Sequence, residues 1–126
     1  ETHLRRSVEA AEKSSPITHR WLGQAKMALA RFLFRQQRLR EAESLLRQVV
    51  ALRDVQVHPD PLQQDYAEGL LGLTAFADGR WDEARQKLEA HGEMVVLRSG
   101  DGSPEAQAVH EARAALGLVP LDGSRS

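Results

Sequence analysis

The sequence predicts an all-α chain of stacked helix–turn–helix repeats, with about six helices, on three observations. First, Leu4, Leu46 and Leu88 stand 42 residues apart, and their neighbourhoods return with them. Leu4-Arg5 with Val8 is echoed by Leu46-Arg47 with Val50, and Arg38-Leu39-Arg40-Glu41-Ala42 by Arg80-Trp81-Asp82-Glu83-Ala84. Second, no strand-like alternation interrupts this period, and a fixed period of such length marks a helical-repeat array. Third, Leu, Ala, Arg, Glu and Gln dominate while only six residues are aromatic, which favours helix.

The elements follow in order. Residues 2–13 read as a half repeat, with Leu4, Val8 and Ala11 on one helical face. Ser14-Ser15-Pro16 breaks it, and Ser15 as N-cap with Pro16 at the first helical position starts the next helix. Trp21, Ala25, Ala28 or Leu29, and Phe32 or Leu33 carry that helix to about Gln36. A corner at Gln37-Arg38 leads into a helix from Leu39 to about Asp54, with Leu39, Ala42, Leu45 or Leu46, Val49 and Leu52 inward. Residues 16–54 thus make one full repeat.

The prolines of Val57-His58-Pro59-Asp60-Pro61 exclude helix across that connector. Asp60-Pro61 restarts helix as cap and first position, and that helix carries Tyr66, Leu70, Leu71, Thr74, Ala75 and Phe76 to a stop at Asp78-Gly79. Trp81 to about Arg98 follows, with Trp81, Ala84, Leu88 and Val95 inward, completing a repeat over 61–98. Gly92 in that helix costs roughly 1 kcal/mol relative to Ala. Ser103-Pro104 opens a capping helix over 103–117, and the polar tail 120–126 is expected to be disordered. One array over 1–119 is the expected domain organisation.

Bulk properties exclude several functions. Basic and acidic side chains number 17 and 18, a net of −1, so there is no electrostatic footprint for duplex nucleic acid. Without cysteine there is no disulfide, thiolate metal site or Cys nucleophile, which fits a reducing, cytoplasmic compartment. Apolar runs such as Met94-Val95-Val96-Leu97 are far short of the roughly 20 residues of a membrane span, and no basic-then-apolar leader opens the chain.

The two full units resemble the tetratricopeptide repeat, in the longer variant of kinesin light chains and many bacterial multidomain proteins. Leu29-Ala30 and Leu71-Gly72 match the Leu-Gly or Leu-Ala pair of the family's first helix. Leu33 and the smaller Ala75 occupy the position that follows, and Glu41-Ala42 and Glu83-Ala84 match the opening of its second helix. Residues 38–46, Arg-Leu-Arg-Glu-Ala-Glu-Ser-Leu-Leu, and the connector His58-Pro59-Asp60 look like those of the longer variant. The match covers residues 17–98. Residues 1–13 fit a second helix whose beginning is missing, as in a piece of a longer polypeptide. The closing proline of many repeats is absent at Asp54-Val55-Gln56-Val57. The resemblance implies a right-handed α–α superhelix acting as a non-catalytic protein-interaction module.

No catalytic or metal constellation is expected. His3, His19, His58, His91 and His110 fall on separate elements without the i, i+4 pairing of helical metal sites. Asp82 and Glu83 sit where first-turn acids complement the helix dipole, and no phosphate-cradling glycine loop occurs. No cofactor, metal or enzymatic activity is expected.

Mapped on the family pattern, the concave surface takes Gln24, Met27, Arg31, Phe34 and Arg35 from one repeat. Tyr66, Leu70, Leu73 and Phe76 come from the next, and Gln107, His110 and Glu111 from the last helix. Guanidinium groups beside aromatics suit a peptide with an acidic residue next to an apolar anchor. Arg31 stands where chaperone-binding members carry Asn, so their Lys/Asn clamp is not reproduced. The sequence also fits two alternatives. One is self-association through an open stripe of Leu4, Val8 and Ala11. The other is a regulatory domain of a bacterial kinase, sensor or transcription regulator.

Overall fold

The computed structural model describes residues 1–12, 19–52, 60–119 and 121, and its elements are six α-helices. They are α1 Thr2–Glu12, α2 His19–Arg35, α3 Leu39–Ala51, α4 Pro61–Ala77, α5 Trp81–Ser99 and α6 Pro104–Ala115. No strand occurs among the described residues. The chain is all-α, with the predicted helices in the predicted order. The expected start at Ser15-Pro16, the expected helix end near Asp54, residues 57–59 of the expected connector, and positions 120 and 122–126 of the expected tail lie outside the described residues.

Two caps are made as their residue types dictate. The Asp60 carboxylate accepts from the backbone N–H groups of Leu62 and Gln63 at 3.0 and 3.2 Å. Ser103 Oγ accepts from Ala106 N at 3.1 Å, with Pro104 at the first helical position. Each cap satisfies helix donors that have no partner within the helix.

The corners repeat as the sequence does. Arg38 N donates to Leu33 O at 2.9 Å across Gln37, whose φ is +63°. Forty-two residues later Arg80 N donates to Ala75 O at 2.9 Å across Gly79, whose φ is +77°. Both are left-handed helix caps that satisfy terminal carbonyls. Glycine adopts this φ without steric cost, whereas Gln37 pays roughly 1–2 kcal/mol for it.

The chain divides into two compact units, Glu1–Ala67 and Glu68–Ser126, and the division falls within α4. In the first unit α2 packs against both α1 and α3. Its core holds Leu29, Ala30, Leu33, Ala42, Leu46 and Val49, all buried. A buried Leu contributes about 1.5–3 kcal/mol by leaving water. On α1, Val8 is buried and Leu4 half-buried.

In the second unit α4 meets α5 where side chains are missing. A Cβ on Gly72 would stand 3.0 Å from Leu88 Cγ and 3.1 Å from Lys87 Cβ. One on Gly69 would lie 2.4 Å from Val95 Cγ2 and 2.7 Å from the His91 carbonyl oxygen. The approach at Gly72 was legible from its Leu-Gly pair; that at Gly69 was not. Gly92 plays the same part where α5 packs on α6, its Cβ direction 3.3 Å from Val109 Cγ1. Its helix-propensity cost is therefore offset by packing.

One expected core residue is corrected. Ala84, Leu88 and Val95 are buried, but Trp81 is 55% exposed. Trp81 fits the helical period, yet it is the first residue of α5, and side chains there lean back over the preceding turn, toward the last residues of α4, rather than into the core between the helices. Its ring instead meets the ring of Phe76 edge-on, with centroids 5.3 Å apart and planes at 65°.

Substituting Gly69 with Ala is expected to lower stability by about 1–3 kcal/mol, because the backbone carbonyl of His91 cannot yield as a side-chain tip would. Gly102→Ala, with nothing within 4 Å, should leave it unchanged. Gln37→Gly should raise stability by about 1 kcal/mol. Urea unfolding midpoints at constant slope measure all three.

Candidate partner-binding surface

The residues expected to face a partner divide by burial. On α2, spacings of three and four put Gln24, Met27, Arg31, Phe34 and Arg35 along adjoining faces. Gln24 and Arg35 are exposed, Arg31 is half-buried, and Met27 and Phe34 are buried. In the second unit Leu70 and Leu73 are buried, Phe76 and His110 are half-buried, and Gln107 and Glu111 are exposed. Helical spacing cannot separate the inner face of a hairpin from its flank. Met27, Phe34, Leu70 and Leu73 are covered by the chain itself.

One pair of predicted residues is brought together. The Arg31 guanidinium carbon lies 5.6 Å from the centroid of the Tyr66 ring, within cation–π range. Tyr66 is only 3% exposed, so α4 presents the ring as a fixed floor beneath the cation. Arg31 Nε is sealed from water and has no hydrogen-bond partner among the described residues. Buried donors are nearly always paired, so an unpaired one calls for a reason.

Polar side chains of α2 and α4 bond to α3, and spacing did not reveal this. Lys26 is buried and its Nζ donates to Gln48 Oε1 at 2.6 Å, while Gln64 Nε2 donates to the Val49 carbonyl at 2.8 Å. In the second unit Lys87 Nζ stands 3.0 Å from Glu68 Oε1, and His91 Nε2 stands 4.0 Å from Glu68 Oε2. His91 is thus a half-buried neighbour of a carboxylate. Among the described residues no three His, Asp or Glu side chains come together as a metal site. No helix among them is long and apolar enough to cross a membrane.

A closed ring of four alternating charges joins α1 to the start of α3. Arg5 Nε reaches Glu1 Oε2 at 2.7 Å and Arg5 Nη2 reaches Glu41 Oε2 at 3.2 Å. Arg38 Nη2 reaches the same Glu41 oxygen at 2.7 Å, and its Nη1 bonds Glu1 Oε1. Hydrogen bonds from Arg38, then Arg5, hold the Glu1 carboxyl at about 2, below its ordinary 4.5. The same bonds to Glu1 and Glu41 raise Arg38.

No family model matches the chain, and no curated protein or solved structure matches it.

The ring predicts an acid sensitivity. Glu1 is depressed in the folded chain, so the unfolded chain takes up the proton first and the ring stabilises fully above about pH 5. That contribution should fade as pH falls from 4.5 toward about 2, and salt should weaken it because the partners are solvent-exposed. The difference in urea midpoint between the native chain and Glu1→Gln should shrink to nothing across this window.

Proposed function

We propose that this chain is a non-catalytic, helical-repeat protein-interaction module that takes a peptide bearing a carboxylate beside an apolar group. The observation that carries the proposal is Arg31: half-buried, stacked on Tyr66, and with an Nε that bonds nothing among the described residues. A guanidinium held against an aromatic ring loses little further freedom on binding, and its fork matches a carboxylate with two parallel hydrogen bonds. Arg35 is exposed one turn along the same helix and adds positive potential to the approach.

The repeat supports the same reading. Ala42 and Ala84, 42 residues apart, are both fully buried, as small residues at helix crossings must be. Stacked tetratricopeptide-like pairs, arranged as a right-handed superhelix, are the architecture we propose on that basis. A bacterial, cytoplasmic setting belongs to the proposal too, since the chain has no cysteine and is rich in Arg, Ala and Leu.

The test is a fluorescence-polarisation screen of peptides that carry Asp or Glu next to Leu or Phe. Arg31→Gln should weaken the best binder roughly 10- to 100-fold, the scale of a hydrogen bond to a charged group. Arg31→Lys should recover part of the charge but not the fork. Equal binding by the native chain and Arg31→Gln would remove this surface from consideration.

A further inference from the structure

Arg113 is the most unusual charged group of the second unit. It lies in the last turn of α6 and is only 7% exposed. Its Nη1 donates to the Leu88 carbonyl of α5 at 2.5 Å, and its Nη2 donates to the Val119 carbonyl at 2.7 Å. Its Nε is buried and bonds nothing among the described residues. A buried guanidinium normally lies against a carboxylate, because main-chain carbonyls carry only partial charge. The buried acid of the same helix, Glu105, stands eight positions earlier, about 12 Å along the axis.

Two local features make this arrangement possible. Gly92 leaves a notch in α5, its Cβ direction 3.6 Å from both Arg113 Cδ and Nη1, so the side chain lies close along the helix. After α6 the chain reverses at Gly117, φ +74°, and Leu118 N donates to the Arg113 carbonyl at 2.9 Å. That reversal returns the Val119 carbonyl to the guanidinium of the residue that capped it.

Nε and Nη2 form one edge of the guanidinium, the two-donor fork that clasps an oxyanion side-on. Nη1 is anchored elsewhere, on α5. A single carbonyl oxygen covers that fork, where two anionic oxygens would satisfy both donors and neutralise the charge. We infer that the Nε–Nη2 edge of Arg113 is an oxyanion site, of the kind that takes a carboxylate or phosphoryl group, kept closed by the Leu118–Val119 strap. The Val119 carbonyl is its built-in occupant, and a ligand oxyanion enters by displacing it. This site is independent of Arg31, which belongs to the other unit.

The full chain should be titrated with sodium acetate and separately with sodium phosphate, against sodium chloride at matched ionic strength. The readouts are the Arg113 Nε–H resonance and the hydrogen exchange of the Leu118 amide. An oxyanion that enters should shift the resonance and accelerate Leu118 exchange about tenfold as the strap leaves. Arg113→Lys, which keeps charge but loses the fork, should abolish the response. Gly117→Ala, which strains the reversal without touching Arg113, should lower the anion concentration needed. A response to acetate assigns a carboxylate-bearing ligand, and one to phosphate alone assigns a phosphoryl group. If neither anion acts beyond chloride on the native chain, or if Arg113→Lys responds equally, the site does not exist. Should Arg113→Lys fail to fold, the native-chain resonance and the Gly117→Ala titration decide the matter.

Discussion

Helices in this chain come together where a side chain is missing. At Gly72 a methyl group would press on Leu88, at Gly69 it would strike the backbone of α5, and at Gly92 it would crowd Val109 of α6. In the first unit the equivalent economy of volume is met by Ala30 and Ala42, both fully buried. Interiors are packed to crystal-like density, so an approach this close is unforgiving of extra atoms. The large side chains that fill the remaining space, Leu33, Leu46, Leu70 and Leu88, are buried because these approaches bring their helices into range.

The corners convert that packing into a repeat. Leu33 with Arg38, and Ala75 with Arg80, close their turns by the same bond across a residue of positive φ. Once the turn conformation is set, the start of the second helix is set with it, and so is the residue that meets the crossing. Arg38 and Arg80 then each pair with a glutamate three positions on, at 2.7 and 2.8 Å. These exposed pairs add little energy. They mark that the local geometry recurs with the sequence.

Charge is distributed unequally across this framework. Most carboxylates and guanidinium groups sit on solvated faces or in the Glu1–Arg5–Arg38–Glu41 ring. Arg31 and Arg113 differ, because each has an Nε shut away from water without a hydrogen-bond partner among the described residues. In a medium of low polarity such donors are costly to leave unmatched. Each is held in place by something other than a carboxylate, an aromatic ring for Arg31 and two carbonyls for Arg113. An oxyanion supplied from outside would complete either one, and both proposals start from that.

The helices, their order and the caps at Asp60, Gly79 and Ser103 could be read from the residues alone, because periodicity, proline and glycine act over a few positions. The small residues Ala42, Ala84 and Gly72 were legible for the same reason, through the period that repeats them. The candidate surface was legible only in part. Arg31 and Tyr66 were both named, but spacing on a helix does not say whether Met27, Phe34, Leu70 and Leu73 face a partner or their own core. Trp81 turned outward because it opens its helix, and Arg113 turned inward because Gly92, distant in sequence, left room for it. Burial of a side chain depends on which other helix lies over it, and that is decided only when the chain is packed.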